Sequence, residues 1–258
     1  MTRLIDYGNA GLIGVLTPQA NTTVEPELWA LMPPGWSLLN TRLTSDLATI
    51  EERLVDYTTR FAETAERFAN APIDAIAVAC TGASYLIGAE AEDRIVAEME
   101  DRFGCPCRTA AIASVAALKA MGAERIGLLS PYPDSLNARS TAYWQAKGFE
   151  VVEKQGPDLE EDAFHPIYAM PGAGVRRAYE RLSRAEIDAI LMLGTGMATL
   201  GPILAGADRD LRPAVSCNVA LAWACCRAVD AAHADISHWT TAPHWRDRAA
   251  TLFPNLAP

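Results

Sequence analysis

The chain carries the same short sequence twice. Ile73-Asp74-Ala75-Ile76 runs on into Ala77-Val78-Ala79-Cys80-Thr81-Gly82, and Ile187-Asp188-Ala189-Ile190 runs on into Leu191-Met192-Leu193-Gly194-Thr195-Gly196. A second pair accompanies the first: Leu12-Ile13-Gly14-Val15-Leu16-Thr17-Pro18 parallels Arg125-Ile126-Gly127-Leu128-Leu129-Ser130-Pro131. The spacing is 113 residues from Gly14 to Gly127 and 114 from Cys80 to Gly194. Two matched pairs at nearly one offset point to a duplicated structural unit, and only one copy of the second pair holds a cysteine.

The apolar runs IGVL, IAVA, IGLL and ILML are short, partly β-branched and bounded by Gly, Pro or Thr, as buried parallel strands are. Helices are expected between them. Leu47, Ile50, Leu54, Tyr57, Phe61, Ala65 and Phe68 recur every three or four residues and predict one amphipathic helix capped by Thr44 or Ser45. Residues 110–121, 174–188 and 219–232 predict three more. Strands alternating with helices make βαβ units with right-handed crossovers. The expected fold class is α/β: two pseudo-symmetric lobes, each a parallel sheet flanked by helices, with the active site in the cleft between them. The first lobe is placed at residues 1–118, with 212–258 packing back on it, and the second at 119–211.

Ligands of open α/β sheets sit beyond the carboxyl ends of the strands. Those ends are Thr17–Glu25, Cys80–Ser84, Ser130–Asn137 and Gly194–Met197, so four polar loops are expected to converge. The first offers the amide of Asn21 and the hydroxyls of Thr22 and Thr23 just before a helix, a place suited to an anion or, more plainly, to a helix cap. Cys80 leaves a strand into the small-residue turn Thr81-Gly82, where backbone N–H groups would stabilise a thiolate; a buried structural thiol is the alternative. Tyr132 can donate its O–H to a carboxylate, or simply pack. The loops 153–172 and 29–36 are expected to line or cover the cleft.

Charge narrows the classes. With 22 Lys and Arg against 32 Asp and Glu, the net charge is −10, and no basic run marks a nucleic-acid surface. No apolar stretch is long enough for a bilayer, and the N-terminal segment, with Asp6 inside it, lacks a signal-peptide pattern, so a cytoplasmic protein is expected. Its six cysteines should then be reduced, and Cys105-Pro106-Cys107 has neither zinc nor redox spacing. Four histidines, His165, His233, His238 and His244, show no ligand spacing, and no Ser-His-Asp order, Walker loop or dinucleotide fingerprint is present. Chemistry centred on a cysteine, without metal or cofactor, is the expectation.

Pro18-Gln19-Ala20-Asn21-Thr22-Thr23-Val24-Glu25-Pro26-Glu27, the later Val78-Ala79-Cys80-Thr81-Gly82, the strand ending in Pro131-Tyr132 and the second-half Gly194-Thr195-Gly196 together resemble a known group. They are similar to the maleate cis–trans isomerases and arylmalonate decarboxylases of the aspartate/glutamate racemase superfamily, ectoine-utilisation-type relatives included. The resemblance spans about residues 11–232 and is nearer to the maleate-isomerase branch. It implies two facing lobes, no cofactor, no metal, a homo-oligomer, and a small carboxylate or dicarboxylate as partner rather than nucleic acid or membrane. It makes Cys80 the first-lobe catalytic cysteine, Asn21 the carboxylate-binding amide, and Thr81 and Tyr132 donors around the carboxylate. Thr22, Thr23, Gly82, Asn137, Gly194 and Thr195 complete the expected substrate surround.

Gly194 departs from the pattern, because a second cysteine belongs there. Two-base racemisation needs an acid–base group on each face of the substrate and loses one here unless Thr195 or water substitutes. Addition of the Cys80 thiolate to an electron-poor C=C, followed by rotation and expulsion, needs one nucleophile. One-cysteine decarboxylation or elimination remains compatible, as does a non-catalytic carboxylate binder. A Gly194→Cys substitution is expected to introduce exchange on the second face.

Overall fold

A computed structural model describes residues 5–157, 167, 170, 172–241 and 243–254. In the first half, strands β1 (Gly11–Pro18), β2 (Trp36–Leu43), β3 (Ala75–Val78) and β4 (Cys107–Thr109) alternate with helices α1 (Val24–Leu31), α2 (Ile50–Thr59), α3 (Phe61–Glu66), α4 (Thr81–Ile87) and α5 (Ala89–Phe103). Helix α6 (Ala110–Ala120) leads to the second half, where β5 (Arg125–Leu129), β6 (Glu150–Gln155), β7 (Ala189–Met192) and β8 (Ala214–Ser216) alternate with α7 (Asp134–Ala146), α8 (Gly172–Leu182) and α9 (Leu200–Asp208). Helix α10 (Cys217–Val229) and two short helices, α11 (Ser237–Thr240) and α12 (Arg246–Leu252), follow.

All strand pairs are parallel, and the sheet orders β2-β1-β3-β4 and β6-β5-β7-β8 are the same order written twice. The four strands expected from the repeat are β1, β3, β5 and β7, the central pair of each sheet. Being covered by helices on both faces, they read as continuous apolar runs, whereas the flanking β2 and β6 are partly exposed and carry mixed sequences.

The repeated Ile-Asp-Ala-Ile has a structural reason. The Asp74 carboxylate accepts the backbone N–H of Leu12 at 2.8 Å, and Asp188 accepts those of Glu124 and Arg125 at 2.9 and 2.7 Å. Each aspartate thus ties its own strand to the start of the neighbouring one and sets the register in both sheets. The fourth strands end alike: Thr109 caps α6 through the N–H of Ile112, and Ser216 caps α10 through that of Val219.

The helix expected over 45–68 is two helices. Its cap is Thr49, which forms a reciprocal capping box with Glu52, not Thr44 or Ser45. It breaks at Arg60, just after Thr58 and Thr59, whose hydroxyls donate back to the Val55 and Asp56 carbonyls and so compete with the helix ladder. Phe61, Ala65 and Phe68 enter the core, but Leu47 and Ile50 are exposed.

Two buried carboxylates link the lobes. Glu27 of α1 accepts the N–H groups of Thr199 and Leu200 at the start of α9, the Thr199 hydroxyl and the Asn218 amide. A negative charge is well placed at that helix N-terminus, although burial raises the pKa of Glu27. Glu92 of α5 accepts the hydroxyls of Ser84, Thr109 and, from the second lobe, Tyr143. The chain after β8 returns to the first lobe: α10 packs against β3, β4 and α1, and Arg248 of α12 donates to the Ala30 carbonyl. Among the described residues no helix is long and apolar enough to cross a membrane.

Candidate active site

The carboxyl ends of the central strands open into one cleft between the lobes. It is a narrow, partly open cleft, with about 70 Å³ accessible to a water-sized sphere. Of the residues expected from sequence, Asn21, Cys80, Thr81, Gly82, Tyr132, Gly194 and Thr195 line it.

Cys80 is the residue before the first turn of α4, a position where backbone N–H groups have no helical partner. Burial pushes its thiol up to about 11, while the N–H groups of Ala83 and Gly82 pull in the other direction. The unliganded site therefore holds a neutral thiol beside two donors placed to receive a thiolate. A Cβ on Gly82 would come within 2.9 Å of a Leu54 methyl of α2, so a larger residue there would have to push that side chain aside.

Asn21 is locked into one orientation. Its Oδ1 accepts the N–H groups of Thr23 and Val24 at 2.9 and 3.1 Å, which caps α1, so its Nδ2 must point into the cleft. There it donates to Thr195 Oγ1 at 3.0 Å, and Thr195 donates in turn to the Ala79 carbonyl at 2.8 Å. Cap and candidate ligand donor are therefore one side chain used at both ends. The proton of Thr195 is committed to a carbonyl, which removes it as a stand-in for a second acid–base residue. Tyr132 reaches across from the second lobe, its hydroxyl 2.8 Å from Thr81 Oγ1.

Three expected residues stand elsewhere. Thr22 is exposed, and Thr23 spends its hydroxyl on the Gly196 carbonyl, a second link between the lobes. Asn137 is buried behind the wall, where it accepts from Ser130 Oγ and donates to the Tyr132 carbonyl. It holds the Tyr132 loop in place and leaves no polar atom for a ligand in the cleft. The segment 29–36 also lies off the lining, because it closes α1 and starts β2; of the described residues in the loop 153–172, Ile167 lines the cleft. His165 lies outside the described residues.

Gly194 has φ of +81°, a backbone conformation that a side chain strains. A Cβ there would meet Pro131 at 3.1 Å and the Tyr132 hydroxyl at 3.3 Å. A second-lobe cysteine would press on Pro131 and Tyr132 and hold a strained backbone, which counts against the expectation that Gly194→Cys restores a second face. A second thiol does lie close by. Cys217, at the start of α10, sits buried against Ser114, the Gly194 N–H and Thr81, its pKa pushed up to about 11 by burial. It does not reach the lining.

One wall of the cleft is not expected from the sequence. Ile50, Arg53, Leu54 and Tyr57 follow i, i+3, i+4, i+7 spacing on one face of α2, and all four line the cleft. That spacing is the available signal, but a mostly apolar stripe reads as a core face, and the arginine within it carries no pattern of its own. Burial raises the pKa of Tyr57, and a charge on Cys80 would raise it further, which puts its phenol near the thiol. Among the described residues Arg53 is the cleft's single charged lining residue. Among the described residues no group of three or more His, Cys, Asp or Glu could hold a metal ion.

Comparison with known proteins agrees with this geometry. A family model described as arylmalonate decarboxylase matches residues 13–238. A maleate isomerase from Nocardia farcinica is 28% identical over 228 residues, covering 84% of this chain and 90% of that protein. A solved mutant of the Nocardia farcinica maleate cis–trans isomerase, with a covalently bound succinylcysteine intermediate, is 26% identical and superposes with a TM-score of 0.74 over 85% of this chain and 93% of that one. The maleate isomerase Iso of Pseudomonas putida S16, at 23% identity over 85% of this chain and 93% of its own, also gives a TM-score of 0.74.

Proposed function

The chain belongs to the arylmalonate decarboxylase family, and from that membership and the cleft geometry we propose that it is a cofactor-independent isomerase of a small carboxylate, of the maleate cis–trans type, with Cys80 as nucleophile. The observation that carries the reading is the Cys80 thiol at a cleft wall with the N–H groups of Gly82 and Ala83 turned towards it. The succinylcysteine intermediate of the Nocardia farcinica relative supports it.

In this reading Cys80 Sγ bonds to one olefinic carbon while the π pair moves toward the neighbouring carboxylate as an enediolate. Asn21 Nδ2 and the hydroxyls of Thr81 and Tyr132 are the donors for that charge, and donors already aimed at developing charge need no reorganisation during the step. The thiol proton passes to solvent water before the addition. In the enediolate the former double bond is single and rotates; collapse of the enediolate then returns its pair to C=C, the S–C pair leaves with sulfur, and the thiolate recovers a proton from solvent. Each atom and electron is restored, so one nucleophile is sufficient.

A second reading has its own support. Because burial keeps Cys80 protonated, the thiol is equally suited to hand one proton to an enediolate left by loss of carbon dioxide from a malonate. Proton NMR in deuterated water separates the two. Loss of the maleate olefin signal with growth of the fumarate signal supports isomerisation. Release of carbon dioxide from a 2-substituted malonate, with one deuteron incorporated, replaces it with decarboxylation. Inertness toward both, with ligand-dependent thermal stabilisation, would leave only a binding protein.

A further inference from the structure

We propose that Arg53 selects for a second negative charge on the substrate, receiving a distal carboxylate while the donors around Asn21 receive the near one. This rests on the carboxylate reading above and assigns a residue of this chain to the second carboxylate that a maleate-type substrate carries.

The placement follows from α2. Its first turns turn Ile50, Arg53, Leu54 and Tyr57 to the cleft, so Arg53 shares a wall with two apolar side chains and a phenol. Among the described residues every other lining residue is neutral. The protein as a whole is strongly acidic, and its other arginines commonly have carboxylate partners: Arg42 with Glu25, Arg60 with Asp56, Arg108 with Glu100, Arg246 with Asp208. Arg53 forms no ion pair among the described residues. Its bonds run from Nε to the Thr49 carbonyl and from Nη2 to the Ala48 carbonyl, both at 3.3 Å.

Those two bonds use two of five guanidinium N–H donors and fix its plane against the chain entering α2. The donors left over match a carboxylate, which a guanidinium can take through two parallel bonds. The charge also reaches inward: Arg53 lowers the pKa of Tyr57, whose phenol lines the same wall. In a molecule of net charge −10, that charge gives a dianion a local reason to enter.

A purely structural Arg53, tethering residues 48–49, would not distinguish one charge from two. Isothermal titration of the full chain with succinate and with succinamate, its single-charge isostere, reads the difference without turnover. The wild-type protein should prefer succinate by about tenfold or more. Among variants whose thermal melts match the parent, Arg53→Gln should bring the ratio near one by weakening succinate alone, and Arg53→Lys should keep part of the preference. An unchanged ratio in Arg53→Gln, or an equal loss for both ligands, overturns the assignment and leaves the carboxylate site standing. Failure of the wild-type protein to bind either ligand overturns the carboxylate reading and this assignment with it.

Discussion

Asn21 and Thr195 meet across the cleft, the amide of one lobe donating to the hydroxyl of the other at 3.0 Å. Because Asn21 Oδ1 is held by two backbone N–H groups, this contact places an Nδ2 hydrogen and the Thr195 strand end in fixed relation to Cys80. An aspartate at this position keeps the cap but not the donor. Asn21→Asp should therefore lose carboxylate affinity by about tenfold or more, and some stability as well, because its second oxygen faces the Thr195 oxygen with no proton between them. Asn21→Ala should lose both, with about 1–2 kcal/mol of stability. Calorimetry and ligand titration on the pair check this, and retained affinity in the aspartate variant would remove Asn21 from the binding site.

Cys80→Ser should abolish turnover without a change in the thermal melt, since the site lies at a cleft wall and the side chain is nearly isosteric. The pH dependence has a definite sign. A thiol whose pKa stands at about 11 is protonated across the neutral range, so its reactivity in the free protein rises as pH rises. Iodoacetamide alkylation of Cys80, followed by peptide mapping, should accelerate by about tenfold per pH unit between about 7 and 10. Saturation near pH 8 would show that the helix N–H groups outweigh burial.

Gly194→Ala and Gly194→Cys should each cost about 1–2 kcal/mol in chemical denaturation, from the left-handed backbone alone. The new Cβ also presses on Tyr132, so ligand affinity should fall in both. Solvent exchange at the substrate carbon should not rise in the cysteine variant. A stable Gly194→Cys protein with faster exchange would mean that the 194 loop relaxes out of its +81° conformation.

Glu27→Ala leaves the Thr199 and Leu200 N–H groups and the Asn218 amide without their acceptor in a buried seam. Loss of about 3 kcal/mol or more is expected in urea denaturation, together with weaker ligand binding, because Asn218 also donates to the Thr195 carbonyl. Glu27→Gln, which keeps one acceptor oxygen, should lose less. Equal stability of all three proteins would mean that the lobes are held by apolar packing alone.

The duplicated stretches carried most of the fold. A buried parallel strand must be apolar on both faces, so β1, β3, β5 and β7 could be read from the chain, and the equal offset required two like lobes with their strand ends facing one cleft. The position of Cys80 before a small-residue turn, and the absence of a thiol at Gly194, were equally legible. The roles of Thr22, Thr23 and Asn137 were not, since a polar residue in a loop has the same letter whether it faces a ligand or a carbonyl. The α2 wall was hidden for a related reason: an i, i+3, i+4, i+7 stripe says which residues share a face, but not whether that face meets the core or the cleft. Only the tertiary packing decided that Arg53 and Tyr57 line the cleft beside Cys80, that Tyr132 stands next to Gly194, and that Glu27 joins the lobes. These residues lie far apart in the chain, Thr81 and Tyr132 by 51 positions and Glu27 and Asn218 by 191, and local periodicity carries no information at that range.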